Sequence, residues 1–207
     1  MKLGRVVGVL ACMLFVATKS DAAIIYTIDR EIGAGSVTGF IETDGTLGIL
    51  STSNILDWSL ILDEGNAEGP FTITGPDSGN NSQVLVQGDG LSATLTELLF
   101  DFSGVGDFVL FQNPIIGSGG NFWCVETAFA NCSVPPPGAA IESVGRTAFG
   151  AFESAERAET VALGIASATS VPEPSTVALL CCALACTGIH LGGRRRSRRN
   201  KPGTRVP

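Results

Sequence analysis

The sequence predicts an all-β body, an antiparallel β-sandwich or jelly-roll-like domain, flanked by an N-terminal signal peptide and one C-terminal transmembrane helix. Three observations carry that prediction. Between residues 23 and 170 short apolar runs alternate with Gly, Asn, Asp and Pro, the pattern of many strands joined by tight turns. Several of these runs are apolar at every second position, so each strand has one buried face and one wet face. No internal repeat of fixed length is visible, which disfavours a solenoid and leaves two packed layers of antiparallel sheet as the economical arrangement.

The elements follow in chain order. Lys2 and Arg5 precede an apolar run over 6–17 and then Ser20-Asp21-Ala22, which predicts a signal peptide over 1–22 that signal peptidase removes after Ala22. The run is too short to span a bilayer as a helix. Strands are predicted at 24–29 and 36–43, and Asp44-Gly45 predicts a type I′ hairpin between FIET and TLGIL, because that turn needs positive φ at both central positions. The clearest strand is 54–63, NILDWSLILD, with Leu56, Trp58, Leu60 and Leu62 on the buried face and Asp57, Ser59 and Asp63 on the wet one. Further strands are expected at 71–74, 84–87, 91–103, 108–112, 121–127 and 161–168. In the long 91–103 stretch Leu98, Phe100 and Phe102 share a face and Asp101 points away. Residues 75–81 read as a loop, and the prolines 135–137 as an exposed connector without donors for a ladder. The Ala- and Glu-rich segment 148–160 fits a short helix or a strand equally.

Charge excludes one function class. Residues 23–170 hold 18 Asp and Glu against three arginines, Arg30, Arg146 and Arg157, so the body repels phosphate backbones and nucleic acid is not an expected partner. Cysteine usage follows the compartment. Export places the body in an oxidising space, where Cys124 and Cys132, the only cysteines of the body, are predicted to form a disulfide. Cys181, Cys182 and Cys186 read as small apolar filler in the tail.

Catalytic and ligand-binding constellations are sparse. The single histidine, His190, lies in the tail, so the body has no Ser-His-Asp or Cys-His arrangement, and we expect a non-enzyme without an obligatory cofactor. Asp101 with Asp107, or Glu64 with Glu68, are the acid pairs that a weak glycoside hydrolase would need. Asp77, Asn80, Asn81 and Asp89 offer hard oxygens to calcium, although no segment has the regular D-x-[DN]-x-[DN]-G spacing. Trp58, Trp123 and Tyr26 are the aromatics that a carbohydrate-binding module would stack on sugar rings; core packing is the competing reading, strongest for Trp58 among its leucines.

The tail carries the most specific pattern. Val171-Pro172-Glu173-Pro174 ends the body, residues 176–191 are uncharged, and a helix continued to 193 would reach about 25 Å at roughly 1.5 Å per residue. Arg194, Arg195, Arg196, Arg198 and Arg199 follow, and each would cost at least about 2.5 kcal/mol at mid-bilayer, so they stay in the cytoplasm with the body outside. This order of parts, behind a signal peptide, resembles the PEP-CTERM sorting signal of Gram-negative bacteria. Stretches such as TDGTLG at 43–48, DWSLIL at 57–62 and FQNPIIGSGGNFWC at 111–124 likewise resemble the cores of uncharacterised PEP-CTERM exoproteins. The resemblance implies a sorting signal over 171–199 with Pro172, Glu173 and Pro174 as its motif, a cytoplasmic tail over 200–207 and an extracellular domain over 23–170. It further implies an exosortase-type membrane transpeptidase as partner, and final residence at the cell surface or in an extracellular matrix with exopolysaccharide.

Overall fold

A computed structural model describes residues 22–129, 139–147 and 152–167. Among these there is no α-helix. Thirteen strands form two antiparallel sheets: β1 Ile24–Ile32, β2 Gly35–Thr43, β3 Gly48–Ile49, β4 Ile55–Asp63, β5 Phe71–Thr74, β6 Gln83–Gln87, β7 Leu91–Ala93, β8 Glu97–Asp101, β9 Phe108–Gln112, β10 Phe122–Glu126, β11 Ile141–Gly145, β12 Glu153–Glu156 and β13 Thr160–Ala166. The larger sheet has the order β3-β7-β8-β13-β1-β2-β4-β5 and the smaller β12-β11-β10-β9-β6. The all-β antiparallel sandwich is therefore as the periodicity predicts, with β9 to β12 running as a meander of neighbours.

The core lies between the sheets. Tyr26, Ile28 and Ile32 of β1, Val37 and Ile41 of β2 and Trp58, Leu60 and Leu62 of β4 face Val109 and Phe111 of β9, Trp123 and Val125 of β10 and Val144 of β11, all buried. Trp58 meets Phe111 edge-on at 5.4 Å between centroids, and Phe111 stacks on Trp123 at 5.5 Å, which locks the two layers through aromatic contacts. The three central strands of the smaller sheet, β9, β10 and β11, are buried on both faces, while its edge strands β6 and β12 are partly exposed. On the outward side of this sheet Phe108, Leu110, Phe122 and Cys124 form a second cluster with Leu85, Ile116 and Phe152. That is why FVLF and FWCV are uninterrupted apolar runs: a strand covered on both faces has no wet position to mark with a polar residue.

Four expectations change on the structure. Within 54–63 the ladder pairs Glu42 with Asp57 but Thr43 with Ile55, so Leu56 is an extra residue in a β-bulge. The bulge moves Leu56 from its predicted buried face to the surface, 40% exposed, and brings Ile55 inward, while Asp57 keeps its outward face and is buried there by the β5–β6 loop that donates to its carboxylate. Asp44-Gly45 turns the chain without making the predicted hairpin: β3 pairs with β7, and β2 takes β4 as its neighbour over nearly its whole length. Only Gly45 of the two has positive φ, and the Asp44 carboxylate accepts from Thr46 N at 2.9 Å and Asn54 Nδ2 at 3.0 Å, an Asx turn in place of type I′. The 91–103 stretch is a hairpin of β7 and β8, closed where Thr94 Oγ1 accepts from Glu97 N at 2.8 Å. In the ambiguous 148–160 segment residues 153–156 form strand β12, with β11 as its partner; β11 has no counterpart among the expected strands.

Side chains close two exposed sheet edges. Asn81 accepts from Thr74 N at 2.7 Å through Oδ1 and donates from Nδ2 to the Thr72 carbonyl at 3.4 Å, occupying the position of a further strand beside β5. Thr52 Oγ1 accepts from Val86 N at 2.8 Å and donates to its carbonyl at 3.3 Å, which does the same for β6. Blocked edges are how sheets avoid joining to one another.

Candidate functional site

The predicted ligand-binding aromatics are core residues. Tyr26, Trp58 and Trp123 are buried; the Tyr26 hydroxyl donates to the Thr94 carbonyl at 2.7 Å, Trp58 Nε1 donates to Ser82 Oγ at 2.9 Å and Trp123 Nε1 donates to Glu142 Oε1 at 3.3 Å. None presents a ring to a sugar. Burial raises the Tyr26 hydroxyl above the ordinary tyrosine range, a hydrogen bond with Thr43 pulling less strongly the other way.

The acid pairs are anchors in their own right. Glu64 and Glu68 share Arg146, with Nε at 3.6 Å from Glu64 Oε2 and 3.0 Å from Glu68 Oε2, while Glu64 Oε1 accepts from Arg146 N at 2.6 Å. The guanidinium lies over the Phe71 ring at 4.4 Å, so this group fastens the β4–β5 connection to the end of β11. Asp101 ends β8 in solvent and accepts from Ser103 N at 2.9 Å; bonds from the Ser103 side chain and backbone hold its carboxyl below the usual aspartate range. Asp107 sits before β9 with its side chain against Gly88, Gly90 and Gly104, and its N–H donates to Thr127 Oγ1 at 2.8 Å. Asp101 and Asp107 share no partner among the described residues.

The four calcium candidates do not converge. Asp77, Asn80 and Asn81 lie in the β5–β6 loop, whereas Asp89 follows β6, whose five residues separate the two ends by roughly 13 Å at about 3.3 Å per residue. Asn81 is already committed to the β5 edge. Among the described residues no group of three His, Cys, Asp or Glu is placed to hold a metal ion. Cys124 is buried at the centre of the outward face of the smaller sheet. Its predicted partner Cys132, the prolines 135–137, the sorting motif Pro172, Glu173 and Pro174, the tail cysteines, His190 and the arginine cluster all lie outside the described residues.

The sequence reading missed the most connected polar group of the body. Glu142 projects from β11 into the sandwich with a fully buried side chain. Its Oε2 lies 2.7 Å from Arg30 Nη2 and 3.1 Å from Arg157 Nη2, Oε1 accepts from Arg30 Nε at 3.2 Å, and Trp123 completes the shell. Arg157 also donates to the Glu31 carbonyl at 2.8 Å and Arg30 to the Ala162 carbonyl at 3.2 Å, so one carboxylate ties β1, β11, β13 and the end of β12 together. The available signal was scarcity: with three arginines in the body, each was a strong candidate for a specific partner, and IESVG placed an acid inside an apolar strand. Asp57 is a second buried acid of this kind. It accepts from Asp77 N at 3.1 Å and Ser78 N at 3.3 Å, and from the Ser78 hydroxyl, pinning the β5–β6 loop.

No family model, no curated protein and no solved structure matches the chain.

Proposed function

We propose that this chain is an exported surface or matrix protein, held transiently by its C-terminal helix and handed to an exosortase-type transpeptidase at Pro172-Glu173-Pro174. The observation that carries this reading is the order of parts in the tail: a proline-bracketed acid directly after the body, an uncharged run over 176–191, and the cluster Arg194, Arg195, Arg196, Arg198 and Arg199. An N-terminal signal peptide over 1–22 supplies the export that the tail presupposes. The body contributes as a stable module with no assigned chemistry. Its buried carboxylates Asp57, Glu64 and Glu142 join strands and loops and its large aromatics fill the core, which favours a structural or binding role over hydrolysis. The association with exopolysaccharide rests on the family resemblance of the tail.

Deletion of residues 171–207 tests the reading. The truncated chain is expected in the periplasm or medium while the full chain is recovered with membranes or, after processing, without its arginines. A truncated chain that still sediments with membranes would refute the anchor assignment.

A further inference from the structure

Strand β13 is the last in chain order among the described residues, yet it lies in the interior of the larger sheet, between β8 and β1. It is antiparallel to both, so each of its edges joins a ladder. Its side chains contribute less. Only Leu163 and Gly164 of its residues are buried, whereas β1 alone places Tyr26, Ile28 and Ile32 in the core. The strand is therefore held chiefly by backbone bonds and one large apolar side chain. Its seat is nevertheless selective. A Cβ at residue 164 would lie 2.6 Å from Ile28 Cδ1 and 3.0 Å from the Thr27 carbonyl oxygen, so the seat takes glycine there. Arg30 Nη1 donates to the Ala162 carbonyl at 3.2 Å, where the register with β8 shifts between Ala162 and Gly164. Where the strand ends, Ala166 N donates to the Thr96 carbonyl and Ser167 N to the Ile25 carbonyl, each at 2.8 Å, and the Thr27 and Ser167 hydroxyls bond at 2.7 Å. The connection that delivers β13 is short: residues 157–159 cross from the smaller sheet to the larger, and Arg157 at its start is fixed by Glu142 and the Glu31 carbonyl.

We infer that the seat between β8 and β1 is a strand-binding site for a second copy of this chain, which enters with its own β13, so that copies join by exchanging this strand. An exchanged identical element remakes in the partner every contact that it gives up at home, and a short connection to that element favours the exchange. Few buried apolar contacts make β13 the interior strand that departs at least cost to the core. Chain order adds opportunity. β1 and β8 are both made before β13, and until it arrives each offers an unpaired edge of the kind that another chain can occupy. The inference concerns the body alone and stands apart from the reading of the tail.

The test uses full chains in mild detergent. Thr27 of β1 and Ile165 of β13 are exposed and directly opposed, and such a pair has its Cα atoms about 4.5–5.5 Å apart, within disulfide reach. One chain carries Thr27→Cys and another Ile165→Cys, while the double variant in a single chain calibrates the link within one copy. The two single variants are unfolded together in urea, refolded at increasing concentration and oxidised. Peptides joining position 27 to position 165 are then counted by mass spectrometry, so the six cysteines already in the chain do not enter the result. The expected result is a 27–165 link between chains, at the mass of a dimer or larger, with a yield that rises with concentration. Two results overturn the inference. One is no link between chains at any concentration while the double variant links within itself. The other is an equal yield when Val105→Cys, at an exposed position off this ladder, replaces Ile165→Cys.

Discussion

Glu142→Gln is the sharpest probe of what holds the two sheets together. The substitution keeps the shape of the side chain but replaces one oxygen with an NH2 group that faces the N–H donors of Arg30, Arg157 and Trp123. Two guanidinium groups, both mostly shielded at 15% and 23% side-chain exposure, are then left beside each other without a counter-charge. Removing one partner of a buried ion pair costs about 3–5 kcal/mol, because the remaining charge stays desolvated. Against a domain stability of roughly 5–15 kcal/mol this is a large fraction. At about 2–4 °C per kcal/mol for a chain of this size, the midpoint of thermal unfolding should fall by roughly 6–20 °C. The control is Glu68→Gln. Glu68 also faces an arginine, but its side chain is 68% exposed, and surface pairs are worth about 0–1 kcal/mol. Urea unfolding of the body, residues 23–170, reads both as shifts in midpoint at unchanged slope. A Glu142→Gln body within about 1 kcal/mol of the unaltered one, or no less stable than Glu68→Gln, would refute the assignment of Glu142 as the joint of the fold.

Two other predictions concern single residues. Tyr26 is the only tyrosine of the chain, so tyrosinate absorbance reports on it alone. Because burial raises its folded-state pKa above 10.0, its contribution to stability is complete below pH 10 and is lost as pH rises through the folded value. Tyrosinate should therefore appear together with unfolding, and a simple titration near pH 10 in the folded body would contradict the buried hydroxyl. If the chain is exported as proposed, non-reducing peptide mapping should join Cys124 to Cys132, a short loop whose closure would contribute about 2–3 kcal/mol in the chain-entropy treatment; two alkylatable thiols would defeat the pairing.

Strand identity was legible where the chain wrote it locally. Phe71–Thr74 and Phe108–Gln112 fall where the apolar runs place them, and β1, β2, β6, β10 and β13 differ from expectation mainly at their ends. The failures occur where a residue answers to a distant partner. Asp57 reads as a wet-face residue because its neighbours alternate, yet a loop twenty residues away folds over that face and brings backbone donors to its carboxylate. Asp44-Gly45 has the local chemistry of a hairpin, but β2 gains more from pairing along its whole length with β4 than from two residues of β3. Trp123 was open between sugar stacking and core packing, and its environment is set by Phe111 and Glu142 on neighbouring strands. Side-chain closure of the sheet edges by Asn81 and Thr52 is invisible for the same reason.

The placement of the basic residues links the fold to the proposed topology. Within the body Arg30, Arg146 and Arg157 each face a carboxylate, Arg30 and Arg157 sharing the buried Glu142 and Arg146 holding the loop of Glu64 and Glu68. Guanidinium suits these positions because its planar fork can bond several oxygens at once and it is less strongly hydrated than an ammonium. With all three committed internally, most of the 18 body acids have no basic partner among the described residues, and the body itself carries a net negative charge. That charge favours solubility and discourages approach to polyanions and to anionic lipid. On the proposed topology the same residue type serves two separate purposes: three arginines join strands, and the cluster behind the apolar run would set which side of a membrane the body occupies.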